Sequence, residues 1–217
     1  MIGYINAGGR GTRLNGLFTP HPDTGIAKAL LEIGDPKVKL VDHHIANLRQ
    51  QNIERVVVAA GDQPDVYEYV NDIYGHERDI RVTRSLGQLG TGGDLVTYVR
   101  EFNPTSPIII QNVDTILDIN LDLFSSQLAR RRPLGAQACI ALTLIKGVPN
   151  EGAFVVGMDD KITHSAEFSN EDETATTMSS LGYRGSSTRT DIMYPDFLHS
   201  QKWREQDGQL SLYRQTL

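Results

Sequence analysis

Residues 1–16 read MIGYINAGGRGTRLNG and place four glycines directly behind a short apolar run. The run Ile2–Asn6 is typical of a buried β-strand. Glycines that follow a strand let the backbone turn its N–H groups toward an anion. Three interpretations are open at this point: a dinucleotide-binding fingerprint, a phosphate-binding loop of another kind, or a glycine-rich turn that binds nothing.

The two best-known phosphate-binding loops do not fit this stretch. A dinucleotide fingerprint requires a small residue where the sequence has Leu14, and glycines and prolines between residues 16 and 25 rule out the helix that should follow. A Walker A loop requires a glycine where the sequence has Arg13, followed by Lys and Ser or Thr. A loop with two cations, Arg10 and Arg13, remains, and it favours phosphate binding.

Composition and charge narrow the class of protein. The 217 residues carry a formal net charge of −6, which argues against nonspecific binding of nucleic acid. The longest apolar runs are too short to span a bilayer, so we expect no membrane partner. The single cysteine, Cys139, excludes an intramolecular disulfide and fits a reducing compartment. We therefore expect a cytoplasmic protein.

Strand and helix patterns alternate through the first two thirds of the chain. Alternation of this kind predicts an α/β fold, in which a mixed, mostly parallel sheet carries helices on both faces, with a more antiparallel C-terminal third. Ligands of such sheets bind beyond the carboxyl ends of the strands. The predicted strands are 2–6, 55–60, 80–83, 107–111, 137–145, 153–156 and 162–168. The predicted helices are 40–51, a helix capped by Asp62 with Val66, Val70 and Ile73 inside, 94–102, 121–131 and one from about 195.

Four motifs in chain order resemble those of the sugar-1-phosphate nucleotidyltransferases. They are NAGGRGTRL (6–14), GIAKALLEIG (25–34), QLGTGGDL (88–95) and IIIQNVDTILDIN (108–120). Residues 150–200 match more loosely, and the short chain with its LGTGG form looks most like the heptose- and mannose-1-phosphate guanylyltransferases. The resemblance implies a Rossmann-like nucleotide-diphospho-sugar transferase fold. Its single domain, 1–217, would have a nucleotide-binding part, 1–125, and a sugar-phosphate-binding part, 126–217.

The reaction implied is the transfer of a nucleoside monophosphate from a nucleoside triphosphate, GTP favoured, to a sugar 1-phosphate, releasing pyrophosphate. A phosphate monoester loses its second proton near a pKa of about 6, so the nucleophile needs no general base. Catalysis would instead come from positioning of the two substrates and from neutralisation of their charge by cationic side chains and Mg²⁺. The resemblance implies that Arg13 binds the departing pyrophosphate, that Lys28 binds the phosphates and that Asp114 coordinates the metal.

The resemblance also assigns the remaining contacts. A loop at 89–93 would pass under the nucleoside, with Asp94 capping the helix behind it, and Asp191 is the candidate for a second metal ligand. The sugar phosphate would be bound by Gly152, Ser187 and Thr188. Asn6 and Gln88 stand where the family has other residues, so each would either contact the nucleotide or serve only its turn. The predicted nucleotide contacts are Asn6, Ala7, Gly8, Gly9, Gly11, Thr12, Gln88, Gly90 and Thr91.

Two departures from the family pattern keep a second function open. The lysine expected after the sugar-side hairpin is missing, and so is a late D-[IV]-G-T-P segment. A homologue that binds nucleotide sugars as a regulatory subunit would tolerate both losses. A glycosyltransferase would normally carry D-x-D, and DTILD spaces its carboxylates too widely. The sequence leaves open whether the chain forms a homodimer. The adjacent His43 and His44 indicate a partly exposed helix surface rather than a pair of metal ligands.

Overall fold

A computed structural model describes residues 1–9, 27–85, 90–116, 118–144, 153–156, 162–166 and 183–200 of the chain. The strands are β1 (Ile2–Asn6), β2 (Glu32–Ile33), β3 (Val38–Lys39), β4 (Arg55–Ala59), β5 (Ile80–Thr83), β6 (Ile108–Asn112), β7 (Ala138–Leu144), β8 (Ala153–Val156), β9 (Ile162–Ala166) and β10 (Tyr183–Met193). The α-helices are α1 (Leu40–Gln50), α2 (Pro64–Tyr74), α3 (Gly90–Phe102), α4 (Leu121–Arg131) and α5 (Pro195–Ser200). Short 3-10 turns cover Lys28–Leu30 and Arg132–Leu134.

Within the described residues, eight strands form one mixed sheet in the order β5-β4-β1-β6-β10-β8-β9, with β7 paired to β10. Strands β5, β4, β1 and β6 are parallel to one another. A helix lies between each of these strands and the next along the chain, and it returns the chain to the end of the sheet where the strands begin. The pairs made by β10 and β8 are antiparallel. The predicted fold class is therefore confirmed, including the antiparallel C-terminal third.

The two faces of the sheet carry separate hydrophobic cores. On one face, Ile5, Val58 and Ile109 pack with apolar side chains of α1, α2 and α4. On the other face, Tyr4 and Ile110 pack with apolar side chains of α3 and α5. Helices thus cover both faces, as the continuous apolar runs of β4 and β6 predict. In the described part of the chain, no helix combines the length and apolar character that crossing a membrane requires.

Two helix starts differ from the sequence prediction. Helix α3 begins at Gly90, so 90–93 form its first turn instead of a loop, and Asp94 lies inside the helix rather than at its cap. Glycine is allowed in a helix at a cost of about 1 kcal/mol, which packing against the sheet offsets. Helix α2 is preceded by Gln63, not by a capping Asp62, because Pro64 with its fixed φ sets the first helical position.

Two burial predictions are also wrong. Ile73 is 47% exposed, and Tyr74, four residues after the buried Val70, packs against the core in its place. His44 is buried rather than partly exposed, because the helix face that carries it turns toward the end of β6. The sequence patterns also missed the short hairpin of β2 and β3, whose strands are only two residues long.

Candidate active site at the carboxyl edge of the sheet

Four parallel strands end at one level of the sheet. Asn6 at the end of β1 is in register with Ala59 of β4 and with Asn112 of β6, and Ala59 is in register with Thr83 of β5. The backbone ladder continues past these ends, since Ala7 N–H donates to the Ala59 carbonyl at 2.9 Å. The segments that follow the strands are therefore brought side by side, which is where an α/β sheet binds its ligands.

The glycine segment, of which the structure describes Gly8 and Gly9, packs through Gly8 directly on the loop after β4. A side chain at Gly8 would place its Cβ 2.9 Å from the Gly61 Cα atom, closer than real Cβ contacts allow. Gly61 itself has φ +57°, in the left-handed region that favours glycine. The two backbones thus meet without side chains between them. Sequence reasoning missed Gly61, although its position after a buried strand was a usable signal.

Asp94 lies beside this contact. Its Oδ2 atom is 3.4 Å from the Cβ position of Gly61, and its carboxyl group bonds the side chain of Ser85. Burial raises the pKa of the Asp94 carboxyl, and the nearby Asp62 raises it further. The residue predicted to cap α3 instead connects that helix to the loops after β4 and β5.

Lys28 and Asp114, which are far apart in sequence, form an ion pair. The Lys28 Nζ atom lies 2.7 Å from the Asp114 Oδ2 atom, and the two side chains are 21% and 38% exposed. Asp114 follows the end of β6, and Lys28 lies in the 3-10 turn before β2. Two of the three predicted catalytic residues are therefore brought together at the edge of the sheet.

The backbone around Lys28 explains how the turn holds this side chain. Ala27 and Ala29 on either side are 2% and 0% exposed and belong to the core that contains α1. Leu31 then accepts a hydrogen bond at 2.9 Å from the N–H of Leu40, the first residue of α1. The two small alanines thus anchor the turn, with Lys28 between them in contact with Asp114.

Asn6 and Asn112 form an amide pair between the glycine segment and Asp114. The Asn6 Nδ2 group donates to the Asn112 Oδ1 atom at 3.0 Å, and Asn112 is only 6% exposed. The Asn6 carbonyl accepts from the Val113 N–H at 3.1 Å. Sequence reasoning named Asn6 as a nucleotide contact but did not include Asn112, which precedes the aspartate by two residues.

Some of the other predicted site residues lie in α3 and β10, and the rest lie outside the described residues. Gly90 and Thr91 open α3, and Ser187 and Thr188 lie in β10. Asp191 is 1% exposed and is in register with Ile110, in the middle of β6. Alternation with Ile192 and Met193 puts its side chain on the face covered by α3 and α5, whereas Lys28 and Asp114 adjoin the core of α1. The predicted Gly11, Thr12, Arg13, Gln88 and Gly152 lie outside the described residues.

The donors present fit a magnesium ion that is shared with phosphates. No group of three or more His, Cys, Asp or Glu side chains gathers at one point among the described residues. Mg²⁺ does not need such a cage, since proteins commonly bind it through one or two carboxylates while substrate phosphates and water complete the octahedron. Asp114 supplies an accessible carboxylate at the strand edge, and the Lys28 ammonium already lies against one of its oxygens as a cation would.

Comparisons with known proteins agree with this architecture. HddC from Yersinia pseudotuberculosis, solved in complex with GMP-PN, superposes with a TM-score of 0.67 at 17% identity, covering 93% of this chain and 80% of that one. A Bacillus anthracis protein assigned as a glucose-1-phosphate thymidylyltransferase, solved with sucrose, gives 0.69 at 16% identity, with coverage of 92% and 74%. Identities this low show a shared fold. No match was found among curated protein sequences.

The sequence itself identifies the family. The MobA-like NTP transferase domain matches residues 3–151, which is more than half of the chain. The matched region holds the glycine segment, the Lys28–Asp114 pair and the Asn6–Asn112 pair. The chain therefore belongs to the family of MobA-like NTP transferase domains, which are nucleotidyltransferases.

Proposed function

We propose that the protein transfers a nucleoside monophosphate from a nucleoside triphosphate to a sugar 1-phosphate, with release of pyrophosphate. The observation that carries the proposal is the Lys28–Asp114 pair beside the glycine segment. The Lys28 ammonium, which is suited to bind phosphate, and the Asp114 carboxylate, which is suited to bind a metal ion, lie 2.7 Å apart where the strands end, and this supports the proposal. GTP is the favoured triphosphate, because HddC binds GMP-PN in its solved complex and the guanylyltransferase-like motifs agree with it.

The chemistry asks the protein to position two polyanions and to stabilise the leaving group. The backbone N–H groups of Gly8 and Gly9 would face the triphosphate, and Lys28 would neutralise charge on the phosphates as the α-phosphorus is attacked. Mg²⁺, when held by Asp114, supplies further charge neutralisation on the phosphate oxygens. Arg13 would bind the pyrophosphate through its planar fork of donors. The nucleophilic phosphate oxygen is already ionised near neutral pH, so no protein group has to remove its proton.

The test is a matrix of the common triphosphates against sugar 1-phosphates in Mg²⁺, with pyrophosphate release as the readout. We expect turnover that is highest with GTP. If no pair of substrates releases pyrophosphate while calorimetry still detects binding of a nucleotide or a nucleotide sugar, the result would instead support a regulatory, non-catalytic role. The missing lysine after the sugar-side hairpin is what favours that second candidate.

Two matched aspartates sharpen the assay. Asp114→Asn removes the proposed metal-binding charge, and we expect kcat to fall about 10²- to 10³-fold, as it does when one stabilising group is lost from an active site. Asp118→Asn removes the same charge from an exposed position four residues later, and its kcat should stay at the wild-type value. Equal rates for the two variants would remove Asp114 from the mechanism. Arg13→Ala should resemble Asp114→Asn.

A further inference from the structure

The peptide that leads into Asp114 is buried and has left the sheet. Strand β6 ends at Asn112, and Val113, which is 3% exposed, donates its N–H to the Asn6 carbonyl at 3.1 Å. Its own carbonyl turns toward α1. A buried carbonyl is costly unless it accepts a hydrogen bond, so the stability of this turn depends on what α1 presents to it.

His44 of α1 supplies the donor. The imidazole is 2% exposed, and its Nε2 atom lies 3.1 Å from the Val113 carbonyl oxygen. A carbonyl can only accept, so the proton of the neutral ring must be on Nε2. Burial lowers the pKa of the His44 imidazole, which keeps the ring neutral near pH 7.

The second ring nitrogen is occupied by Gln111. The His44 Nδ1 atom lies 3.4 Å from the Oε1 atom of Gln111, a side chain that is itself 3% exposed. With the proton on Nε2, Nδ1 is an acceptor, so a hydrogen bond between the two side chains requires the flipped amide, in which the Gln111 nitrogen takes the place of Oε1. The Val113 carbonyl therefore sets the tautomer of the imidazole, and Gln111 is the neighbour of its second nitrogen.

The Val113 carbonyl belongs to the same peptide unit as the backbone nitrogen of Asp114. That unit lies in a tight turn, closed by the Thr115 N–H donating to the Asn112 carbonyl at 3.1 Å. The orientation of this peptide decides where the Asp114 carboxylate lies. On the other side of the ion pair, the segment that carries Lys28 is bonded to the start of α1 through Leu31 and Leu40. Helix α1 thus supports both partners.

We propose that His44 is a positioning residue for Asp114: its Nε2–H···O=C bond to Val113 fixes the peptide that holds the Asp114 carboxylate opposite Lys28. The proposal rests on the proposed function for its kinetic consequence. Its geometric content, a donor on α1 that holds the turn after β6, can be tested without any substrate.

A matched pair of substitutions separates the donor from the packing. In His44→Gln the amide nitrogen reaches about as far as Nε2 and can still donate to Val113, whereas in His44→Asn the amide reaches only as far as Nδ1. We expect His44→Gln to keep most of the wild-type kcat. His44→Asn should lose about 10- to 100-fold in kcat, the scale expected when a catalytic group is displaced by about 1 Å. The KM for the triphosphate should change less.

A control on the same helix tests for simple destabilisation. Asp42 accepts hydrogen bonds from Tyr69 at 2.7 Å and from Tyr74 at 2.9 Å, both on α2. Asp42→Ala should therefore lower the free energy of unfolding while leaving kcat unchanged. If His44→Asn keeps the wild-type kcat, or if His44→Gln and His44→Asn lose equally, the positioning role is overturned.

NMR decides the geometry independently of activity. In the wild type, imidazole ¹⁵N shifts should report the Nε2–H tautomer, and the Nδ1–H tautomer would overturn the proposal without any variant. The ¹³C shift of the Val113 carbonyl and the ¹⁵N shift of the Asp114 amide should move in His44→Asn and stay near the wild-type values in His44→Gln. Equal carbonyl shifts in the wild type and His44→Asn would also overturn it. If no substrate pair turns over, the proposed function fails, and these spectra alone test whether His44 fixes the peptide before Asp114.

Discussion

Four glycines of this chain separate the two physical reasons for which a protein needs glycine. Gly61 has φ +57° and would place a Cβ 3.0 Å from the Gly8 Cα atom, so it needs glycine for its backbone conformation and for its packing. Gly135 has φ +93° with open space around it, so only conformation requires glycine there. Gly8 has the packing restriction without a positive φ, and Gly9 has neither. Substituting each by alanine forms a complete comparison.

The expected losses follow from the distances. A left-handed backbone costs an alanine about 1–2 kcal/mol. A side chain forced against a packed neighbour costs about 1–3 kcal/mol. Alanine also lowers the conformational entropy of the unfolded chain, which offsets the loss of stability by about 0.4–1 kcal/mol. Combining these, Gly61→Ala should lose about 2–4 kcal/mol and Gly8→Ala and Gly135→Ala about 1 kcal/mol each. Gly9→Ala should be unchanged or slightly more stable.

The assay is equilibrium unfolding in urea, followed by far-UV circular dichroism, with the slope m checked for each variant. The result that matters is the difference between Gly61→Ala and Gly135→Ala, because both share the strained φ and only the first meets another backbone. Equal losses for these two variants would refute the claim that the glycine segment packs directly on the loop after β4.

Three further predictions concern the same site and its support. Lys28→Met should reduce kcat for pyrophosphate release about 10²-fold with little change in the urea midpoint, since an exposed ion pair is worth about 0–1 kcal/mol; near-normal turnover would exclude Lys28 from phosphate binding. Asn6→Leu removes the hydrogen-bond donor of the buried Asn112 amide and should lower the free energy of unfolding by about 1–3 kcal/mol. Asn6→Gln keeps an amide donor and should lower it less. Arg49 lowers the pKa of Asp79 from its ordinary 3.8 by hydrogen bonding. The stability from this pair is therefore present above pH 3.8 and lost as the pH falls through the lowered value, so acid unfolding of Arg49→Met should begin at a higher pH than that of the wild type.

The sequence determined the alternation of strands and helices and the position of the glycine segment. Side-chain periodicity is local, so the continuous apolar runs of β1, β4 and β6 and the amphipathic spacing of α1 could be recognised without tertiary information. The same reasoning predicted that the site lies at the carboxyl ends of the strands. It failed at Asp94, because local pattern cannot tell a glycine-rich loop from the first turn of a helix that the sheet stabilises.

What only the tertiary structure decided is which residues meet. The strand order β5-β4-β1-β6 puts Gly61 against Gly8 and brings Asp114 to Lys28, at sequence separations where no periodic pattern reports a contact. The burial of His44 depends in the same way on the end of β6 facing α1. The sequence by itself determined the parts of this candidate site, because they are local. Their pairing was decided by the fold, because hydrogen bonds and ion pairs act over a few ångströms and the distance between their partners is set by how the strands assemble.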